Sequence, residues 1–399
     1  MRAVVGFLWV SILFLQIESA FAQPFLELNA AGQAPGPTGE IPPRFHFTPS
    51  LDLALEYDDN ILLRSVRRES DFIFRARPGF EMAAERERAE WRIGIKAEFE
   101  GYRDHPDLST WDRSQTLNSR LTLRPTPRWT FDFSDIFVRS KDPIEEVALG
   151  LLLRKTDFWS NSLSLKGAYR LTPRLTAEFE GVNRATQFKD PFLIDYGADE
   201  IKASAVYLLT PLDKVAPQYS YRNFYFERRG HTEAHAFALK WERRWTQTNV
   251  FRGMAGGLVV VDRGTTKNDY LLGLGIDHVY KPSLTLRFDF TRDVAVVGGL
   301  SGAFATNIFS GAVTLRMTEA FVSLFSASWS IQQALLASRS DLDTYAFKAE
   351  EQYAFTSWLK GFLSYAFTRQ NFNESGQRDI YNNRVFLGLT FSQTIPPRV

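Results

Sequence analysis

Charged side chains recur at every second position in several stretches of this sequence. In the segment Arg88–Tyr102, four charged residues take even positions: Arg92, Lys96, Glu98 and Glu100. The odd positions between and beside them are apolar: Trp91, Ile93, Ile95, Ala97 and Phe99. Because successive side chains of a β-strand point to opposite faces, the segment predicts a strand with one charged and one apolar face. A charged face of mixed sign can order water and bias the passage of polar or anionic solutes.

The same alternation predicts a larger set of residues on the charged faces of many strands. The set comprises Arg75, Arg77, Arg92, Lys96, Glu98, Glu100, Lys240, Glu242, Arg287, Asp289, Lys348 and Glu350. Two roles are open for these residues. As an ensemble they would line a polar channel. Each single charge would instead neutralise an opposite charge on an adjacent strand, which only keeps the wall solvated.

Other kinds of chemistry find little support. The five histidines (His46, His105, His231, His235 and His278) are scattered, and none has metal-ligand spacing on a shared element. The chain has no cysteine, so it offers no disulfide framework or thiolate metal site. No nucleophile motif is recognisable. We therefore expect no cofactor, no metal and no enzymatic activity. Phe224 and Phe362 fall at inward positions, where their rings could stack on sugars unless a β-bulge turns them outward.

The N-terminal 22 residues have the pattern of a secretory signal peptide. Arg2 supplies the positive start, Ala3–Ile17 is almost unbroken apolar sequence, and Ala20–Ala22 forms a small-x-small cleavage site. The alternative is an N-terminal helical anchor, for which the apolar run is short. Residues 23–44 are rich in Pro and Gly and predict a flexible periplasmic lead-in. The remaining domain is residues 45–399.

Composition favours a transmembrane β-barrel over a soluble sandwich or propeller. Basic and acidic residues nearly balance at 47 and 46, which gives no electrostatic case for nucleic acid. Charged residues make up 23% and aromatic residues 14% of the chain. A soluble sheet with a dry core has no need for charges on one face of nearly every strand. We therefore predict an all-β, antiparallel, up-and-down barrel in the cell outer membrane.

Connections between the predicted strands differ at the two ends. Tight turns of Thr, Pro or Ser, flanked by an aromatic or Leu, recur near 125–127, 172–173, 210–211, 281–283 and 356–357. Nine longer connections, all but 141–155 polar, lie near 60–70, 104–112, 141–155, 190–196, 228–232, 262–268, 297–306, 337–341 and 371–378. Nine long loops predict 18 strands with both termini on the periplasmic side. The runner-up is 16, because 248–262 and 294–307 are Gly-rich and alternate weakly.

One connection and the C-terminal segment differ from the pattern expected of a barrel. The connection 141–155 is long and apolar, so it is expected either to fold inward as a constriction or short helix or to cover a neighbour's rim. Phe391 ends the last predicted strand and is followed by S-Q-T-I-P-P-R-V. The terminal aromatic that the barrel-assembly machinery reads in many barrels is therefore displaced.

The first hairpin resembles that of a known group of proteins. The motif residues are Tyr57, Asp58, Asp59, Asn60, Ser70, Asp71, Pro78 and Gly79, within Y-D-D-N-I, S-D-F-I-F and R-P-G-F. They are similar to a group of β-barrel porins that includes outer-membrane proteins found with exopolysaccharide biosynthesis and export genes. The resemblance implies an outer-membrane barrel that helps to pass a polysaccharide outward. It brings no catalytic residues.

These observations predict a Gram-negative outer-membrane channel, a conduit that assists exopolysaccharide export. One alternative is a general or solute-specific diffusion porin, and another is a non-conducting surface scaffold or adhesin. The expected partners are outer-membrane lipid, a polysaccharide or small polar solutes, and the barrel-assembly machinery, with no nucleic acid. The sequence leaves the oligomeric state open.

Overall fold

The chain forms one closed barrel of 18 antiparallel strands, as the alternation predicts. The computed structural model describes residues 44–141, 156–227, 230–262, 264–296, 302–335, 341–372 and 379–395. The strands are β1 Arg44–Asp58, β2 Asp71–Arg86, β3 Ala89–Tyr102, β4 Thr110–Thr126, β5 Trp129–Ser140, β6 Phe158–Arg170, β7 Leu175–Phe188, β8 Tyr196–Leu208, β9 Asp213–Phe226, β10 Gly230–Arg244, β11 Asn249–Asp262, β12 Thr265–Lys281, β13 Leu284–Val296, β14 Ala303–Arg316, β15 Phe321–Ala334, β16 Leu342–Ala354, β17 Leu359–Phe372 and β18 Ile380–Ser392. Each strand pairs with its chain neighbours, and β1 pairs with β18.

Several sequence predictions fall outside the described residues. These are the signal peptide, the lead-in up to residue 43, and residues 142–155 of the apolar connection. Within the described part, no helix is long and apolar enough to cross a membrane.

The two faces of the wall differ as the alternation requires. Large apolar side chains point outward and stay exposed, for example Leu387 at 61% and Phe237 at 62%. The charged residues between them point inward, and Arg75 is only 1% exposed. A bilayer interior cannot hydrogen-bond to a strand edge, so a wall with an apolar exterior must close on itself.

Aromatic side chains follow one another across the outer face. Phe290, Phe309, Trp329 and Tyr345 lie on β13 to β16, with successive ring centroids 4.6, 5.3 and 5.8 Å apart. Offset ring packing of this kind adds to the burial of apolar surface.

Threonine side chains shape the short turns at one end of the barrel. Thr126, Thr172, Thr210, Thr318 and Thr356 each accept hydrogen bonds from the backbone N–H groups two and three residues later, at 3.0–3.3 Å. These bonds satisfy donors that leave the strand ladder, which explains the recurrent Thr in the sequence. We call this end the turn end and the opposite one the loop end.

Several strands begin earlier at the loop end than the sequence predicts. Strands start inside segments expected to be loops: β4 at Thr110, β10 at Gly230, β12 at Thr265 and β14 at Ala303. The polar composition of these segments indicates only that they are exposed to water. Their backbone N–H and C=O groups still pair with the adjacent strand where the sheet extends beyond the bilayer. The weak segment 248–262 is the regular strand β11, so the count is 18 and the alternative of 16 strands is wrong.

The opposite faces of β15 provide a direct test. Ala327 points outward and Ser328 inward at the same depth, and both side chains are small. We expect Ala327→Arg to lower the free energy of unfolding in phospholipid vesicles by about 2–4 kcal/mol, because it places a charge in lipid. Ser328→Arg, its matched control, should cost less than about 1 kcal/mol. Equal losses in the two variants would contradict the assignment of faces.

Candidate functional site in the loop half of the interior

The half of the barrel next to the loop end, here called the loop half, is densely filled. The ten largest side chains with less than 2% exposure all belong to it: Glu56, Asn60, Ile61, Ile73, Arg75, Arg113, Val260, Phe304, Gln332 and Gln370. They come from β1, β2, β4, β11, β14, β15 and β17 and from the β1–β2 loop. Inward side chains that are packed this closely reduce the space left open in the loop half.

A buried ion network occupies the β1–β4 side of the loop half. Arg75 contacts Glu56 through its Nε, and its Nη1 lies 2.7 Å from Glu98 Oε1. Arg113 lies 2.7 Å from Glu98 and 2.8 Å from Glu100. Three carboxylates thus share two fully buried guanidinium groups. Arginine suits this position because its rigid fork of donors can bind several carboxylates at once.

Strand register brings these charges together. Arg75 is opposite Ala54 of β1 and Glu100 of β3. Glu98 is opposite Ser114, which follows Arg113 in β4. Inward positions repeat every second residue, and a register shift between Glu98 and Glu100 lets Arg113 face the interior beside Ser114.

Four residues of the predicted charged set meet in or beside this network: Arg75, Arg77, Glu98 and Glu100. Arg77 joins it through Glu98 at 3.2 Å. Lys96 lies deeper, 3.5 Å from Asp52. Arg92 does not join the network; it lies near the turn end, half exposed, between Glu85 and Glu90.

Sequence reasoning missed two central members of the network, Glu56 and Arg113. Glu56 was visible as the charged position of an alternating strand. Arg113 follows a segment that composition marked as a loop, and the early start of β4 places it in the wall.

The other predicted charges pair locally on the inner wall of the opposite side. Glu242 lies 3.1 Å from Lys214, Lys348 lies 2.6 Å from Glu350, and Arg287 lies 2.7 Å from Asp289. Lys240 lies among other inward charges, including Lys202, Lys166, Glu178 and Glu180. For most single residues the neutralising role therefore describes the geometry better than a free charge does.

A glycine lies beside a three-membered ion cluster on the inner wall. Arg252 on β11 makes a two-pronged contact with Asp277, at 2.7 and 2.8 Å, and reaches Asp289 at 3.3 Å. A Cβ at Gly275 would lie 2.7 Å from the Asp289 carboxylate and 3.0 Å from Arg252 Nε. A larger residue at position 275 would therefore push these charged groups apart.

A second, apolar cluster fills the loop half on the β9–β14 side. Its buried members include Phe224, Phe226, Leu258, Val260, Leu271, Val294, Val296 and Ala305. Phe224 is 5% exposed in this cluster, so its ring presents no face on which a sugar could stack.

Three motif residues of the first hairpin, Asp58, Asp59 and Asn60, form hydrogen bonds across the barrel seam. Asn60 donates to Arg64 O and Tyr381 O, at 2.9 and 2.8 Å. Asn383 donates to Asp59, and Asn382 donates to Asp58. The Y-D-D-N segment of the first hairpin is thereby bonded to the last strand, β18, where the barrel closes.

Other motif residues pack against, or form hydrogen bonds with, the first strands of the barrel and the loops between them. Tyr57 packs on Phe72 at the outer surface, with ring centroids 5.2 Å apart. Asp71, which follows Ser70, accepts hydrogen bonds from the backbone of the β3–β4 loop. Pro78 interrupts the β2–β3 pairing, and Gly79 leaves space for Lys96, whose Cγ would lie 2.9 Å from an added Cβ.

Among the described residues, no group of three or more His, Cys, Asp or Glu side chains could hold a metal ion. His105 instead belongs to the β3–β4 loop, where its Nδ1 lies 2.9 Å from Asp71 and its Nε2 lies 3.3 Å from Glu69. The hydrogen bond with Asp71 raises the pKa of His105 above its ordinary value.

Comparisons with known proteins address the fold. No family model matches the sequence, and no curated protein matches it. Pseudomonas aeruginosa OccK2 (OpdF), solved in complex with glucuronate, is similar with a TM-score of 0.50 and 9% identity over 89% of this chain and 98% of that chain. The chain has an outer-membrane porin fold.

Two further solved structures cover the chain to the same extent. Acinetobacter baumannii OccAB3 has a TM-score of 0.49 and 8% identity over 89% of this chain and 100% of that chain. Pseudomonas aeruginosa OpdK with vanillate has a TM-score of 0.48 and 11% identity over 88% of this chain and 99% of that chain.

The buried network predicts a large cost for removing its central cation. Arg75→Met should lower the free energy of unfolding by about 3–5 kcal/mol, because it removes the closest cation of the buried Glu56 and one of the cations that Glu98 contacts. Arg139→Met is the matched control, since Arg139 is half exposed and lies 3.2 Å from Asp112; it should cost less than about 1 kcal/mol. Denaturant unfolding in lipid vesicles measures both. A similar loss for the two variants would contradict the importance of the buried network.

The His105 contact predicts a pH-dependent loop. Since the folded pKa of His105 is raised, its stabilising contribution is complete below the ordinary histidine pKa of about 6.5 and is lost as pH rises through the folded pKa. An NMR titration should show that Asp71→Asn lowers the pKa of His105 towards its ordinary value, and that Glu69→Gln lowers it less. An unchanged pKa in Asp71→Asn would show that this hydrogen bond is not the cause.

Proposed function

We propose that this protein is a selective outer-membrane diffusion channel for small polar solutes. The observation that carries the proposal is the combination of a charged inner wall with a filled loop half. The polar groups of the wall face away from lipid, where only water or a solute can solvate them. The filling restricts what can pass, so the channel selects by size.

The charges of the inner wall indicate which class of solute can pass. Its charges are paired with opposite charges on the same or adjacent strands, as in the Lys214–Glu242 and Arg287–Asp289 contacts. Such a wall offers donors and acceptors of both signs to a solute that carries several polar groups. Small hydroxylated acids fit this description, and glucuronate, which accompanies OccK2 (OpdF), is one such molecule.

Export of an exopolysaccharide, which the resemblance of the first hairpin implies, stays a prediction. Its motif residues bond the barrel seam, a task that any closed barrel needs, and the similar structures carry no link to polysaccharide. A polymer would also need a continuous wide bore through the loop half. The diffusion channel therefore accounts for more of the interior than the export conduit does.

The filled loop half favours one second candidate, a non-conducting surface scaffold. Such a barrel would use its loops for attachment and would need no path for solutes. Conductance separates this candidate from the channel.

The test measures conductance in planar bilayers and solute entry in a liposome-swelling assay. We expect discrete single-channel steps, and entry of glucose and glucuronate with exclusion of dextran. A purified, folded barrel without conductance steps and without swelling in any solute would overturn the channel and leave the scaffold. Entry of dextran at the rate of glucose would overturn the size selectivity and favour the wide conduit.

A further inference from the structure

The hydrogen-bond ladder between β12 and β13 stops early at the loop end. The last opposite pair there is Leu272 with Arg292. Beyond it, β12 continues to Thr265 in pairing with β11 alone, and β13 continues to Val296 in pairing with β14 alone. The loop end of the β13–β14 hairpin has therefore separated from β12.

An ion pair between distant strands shows where the loop end of the β13–β14 hairpin lies. Arg222 of β9 makes a two-pronged contact with Asp293 of β13, at 2.7 and 2.8 Å, and donates to Val294 O at 2.9 Å. Neighbouring strands lie about 4.8 Å apart, so β9 and β13 would be roughly 19 Å apart along a regular wall. That span exceeds the joint reach of the two side chains. The hairpin end must lie inside the barrel.

Apolar packing agrees with this position. Val294, Val296 and Ala305 have the outward parity of the lipid-facing Phe290 and Phe309, yet they are buried beside Phe224, Leu258 and Val260. The latter three lie on the inner faces of β9 and β11. The outer face of the hairpin therefore packs on the inner face of the wall.

Arg292 bridges the gap between β12 and the displaced end of the β13–β14 hairpin. Its Nη2 lies 2.9 and 3.0 Å from the Asp269 carboxylate of β12, and its Nη1 donates to Asn307 of β14 at 3.0 Å. Its guanidinium also stacks on Tyr270, 4.4 Å from the ring centroid. Lys267 of β12 donates to Leu335 O just beyond β15, at 2.9 Å, across the displaced hairpin.

We infer that the loop end of the β13–β14 hairpin, residues 293–296 and 302–305, sets the size limit of the channel, with Arg222 and Asp293 as the specificity-determining pair. The inference rests on the proposed function for its solute and on the ladder break for its geometry. The pair is a latch: it holds the hairpin across the interior, while β14 stays paired with β15 up to Phe304 and Ala334.

The latch can break without loss of the barrel. Towards β12, side-chain contacts replace the backbone ladder beyond Arg292, whereas β13 stays paired with β14 along its whole loop half. Arg222 also contacts Glu200 at 2.6 Å, so its removal leaves Asp293 without this cation and breaks the link to Glu200, which keeps Lys202 at 3.0 Å. Both effects favour release of the hairpin.

The first test follows the hairpin itself and needs no conductance. Val296→Cys introduces a single thiol into a chain without cysteine, at a site that is 8% exposed. Labelling by a membrane-impermeant maleimide should be slow in that background and about tenfold faster or more once Arg222→Gln is added, because one partner of a buried charge pair is gone. Asp293→Asn, which removes the other charge, should also accelerate labelling.

Arg252→Gln is the matched control, because Arg252 makes the same two-pronged contact with a carboxylate on the adjacent strand β12. Its labelling rate should equal that of Val296→Cys alone. Equal rates for Arg222→Gln, Asp293→Asn and Arg252→Gln would overturn the latch, whatever the barrel conducts.

The second test concerns the size limit. In liposome swelling, Arg222→Gln should admit raffinose several-fold faster than the unmodified protein, while Arg252→Gln should not. Faster labelling without a change in raffinose entry would overturn the size limit and keep the latch. If no form of the protein conducts while labelling still responds to Arg222→Gln, the proposed channel fails and the latch stands.

Discussion

The structure depends on one constraint: each backbone N–H and C=O group in the bilayer must be satisfied within the wall itself. Eighteen strands meet it by pairing in chain order and closing β1 on β18. Closure then decides where side chains can go, because one residue in two faces lipid and the next faces the interior. The seam is reinforced at the loop end by Asp58, Asp59 and Asn60, which bond to β18.

Charges placed inside such a wall must find partners, since buried ions without compensation are costly. Here they do so in two ways. Most pair along or across neighbouring strands, and three arginines, Arg75, Arg113 and Arg222, each contact two or more carboxylates in the loop half. Arg75 and Arg113 bind neighbouring strands of the wall, whereas Arg222 spans the interior. The same chemistry therefore serves a structural purpose on one side and holds a movable hairpin on the other.

Local patterns in the sequence predict the barrel well. Alternation in segments such as Arg88–Tyr102 and the recurrent Thr turns indicate strand, facing and order, because both depend on residues close in the chain. The filling of the loop half does not follow from such patterns. The Arg222–Asp293 contact joins strands four places apart, which no local spacing encodes. One signal was present: segment 294–307 loses its alternation because both faces of that hairpin end are buried. It was interpreted as a weak strand rather than as an inward-folded one.

Disulfide formation across the β12–β13 ladder tests the central claim most directly, in a chain that has no cysteine of its own. Ile276 and Phe288 are opposite residues in the paired part of this ladder, and a continuous ladder would place Tyr270 opposite Val294 in the same way. The account predicts that Ile276→Cys with Phe288→Cys cross-links on oxidation in the folded barrel, whereas Tyr270→Cys with Val294→Cys does not. Equal cross-linking of the two pairs would show that β13 stays in the wall, and would contradict an interior closed by its hairpin.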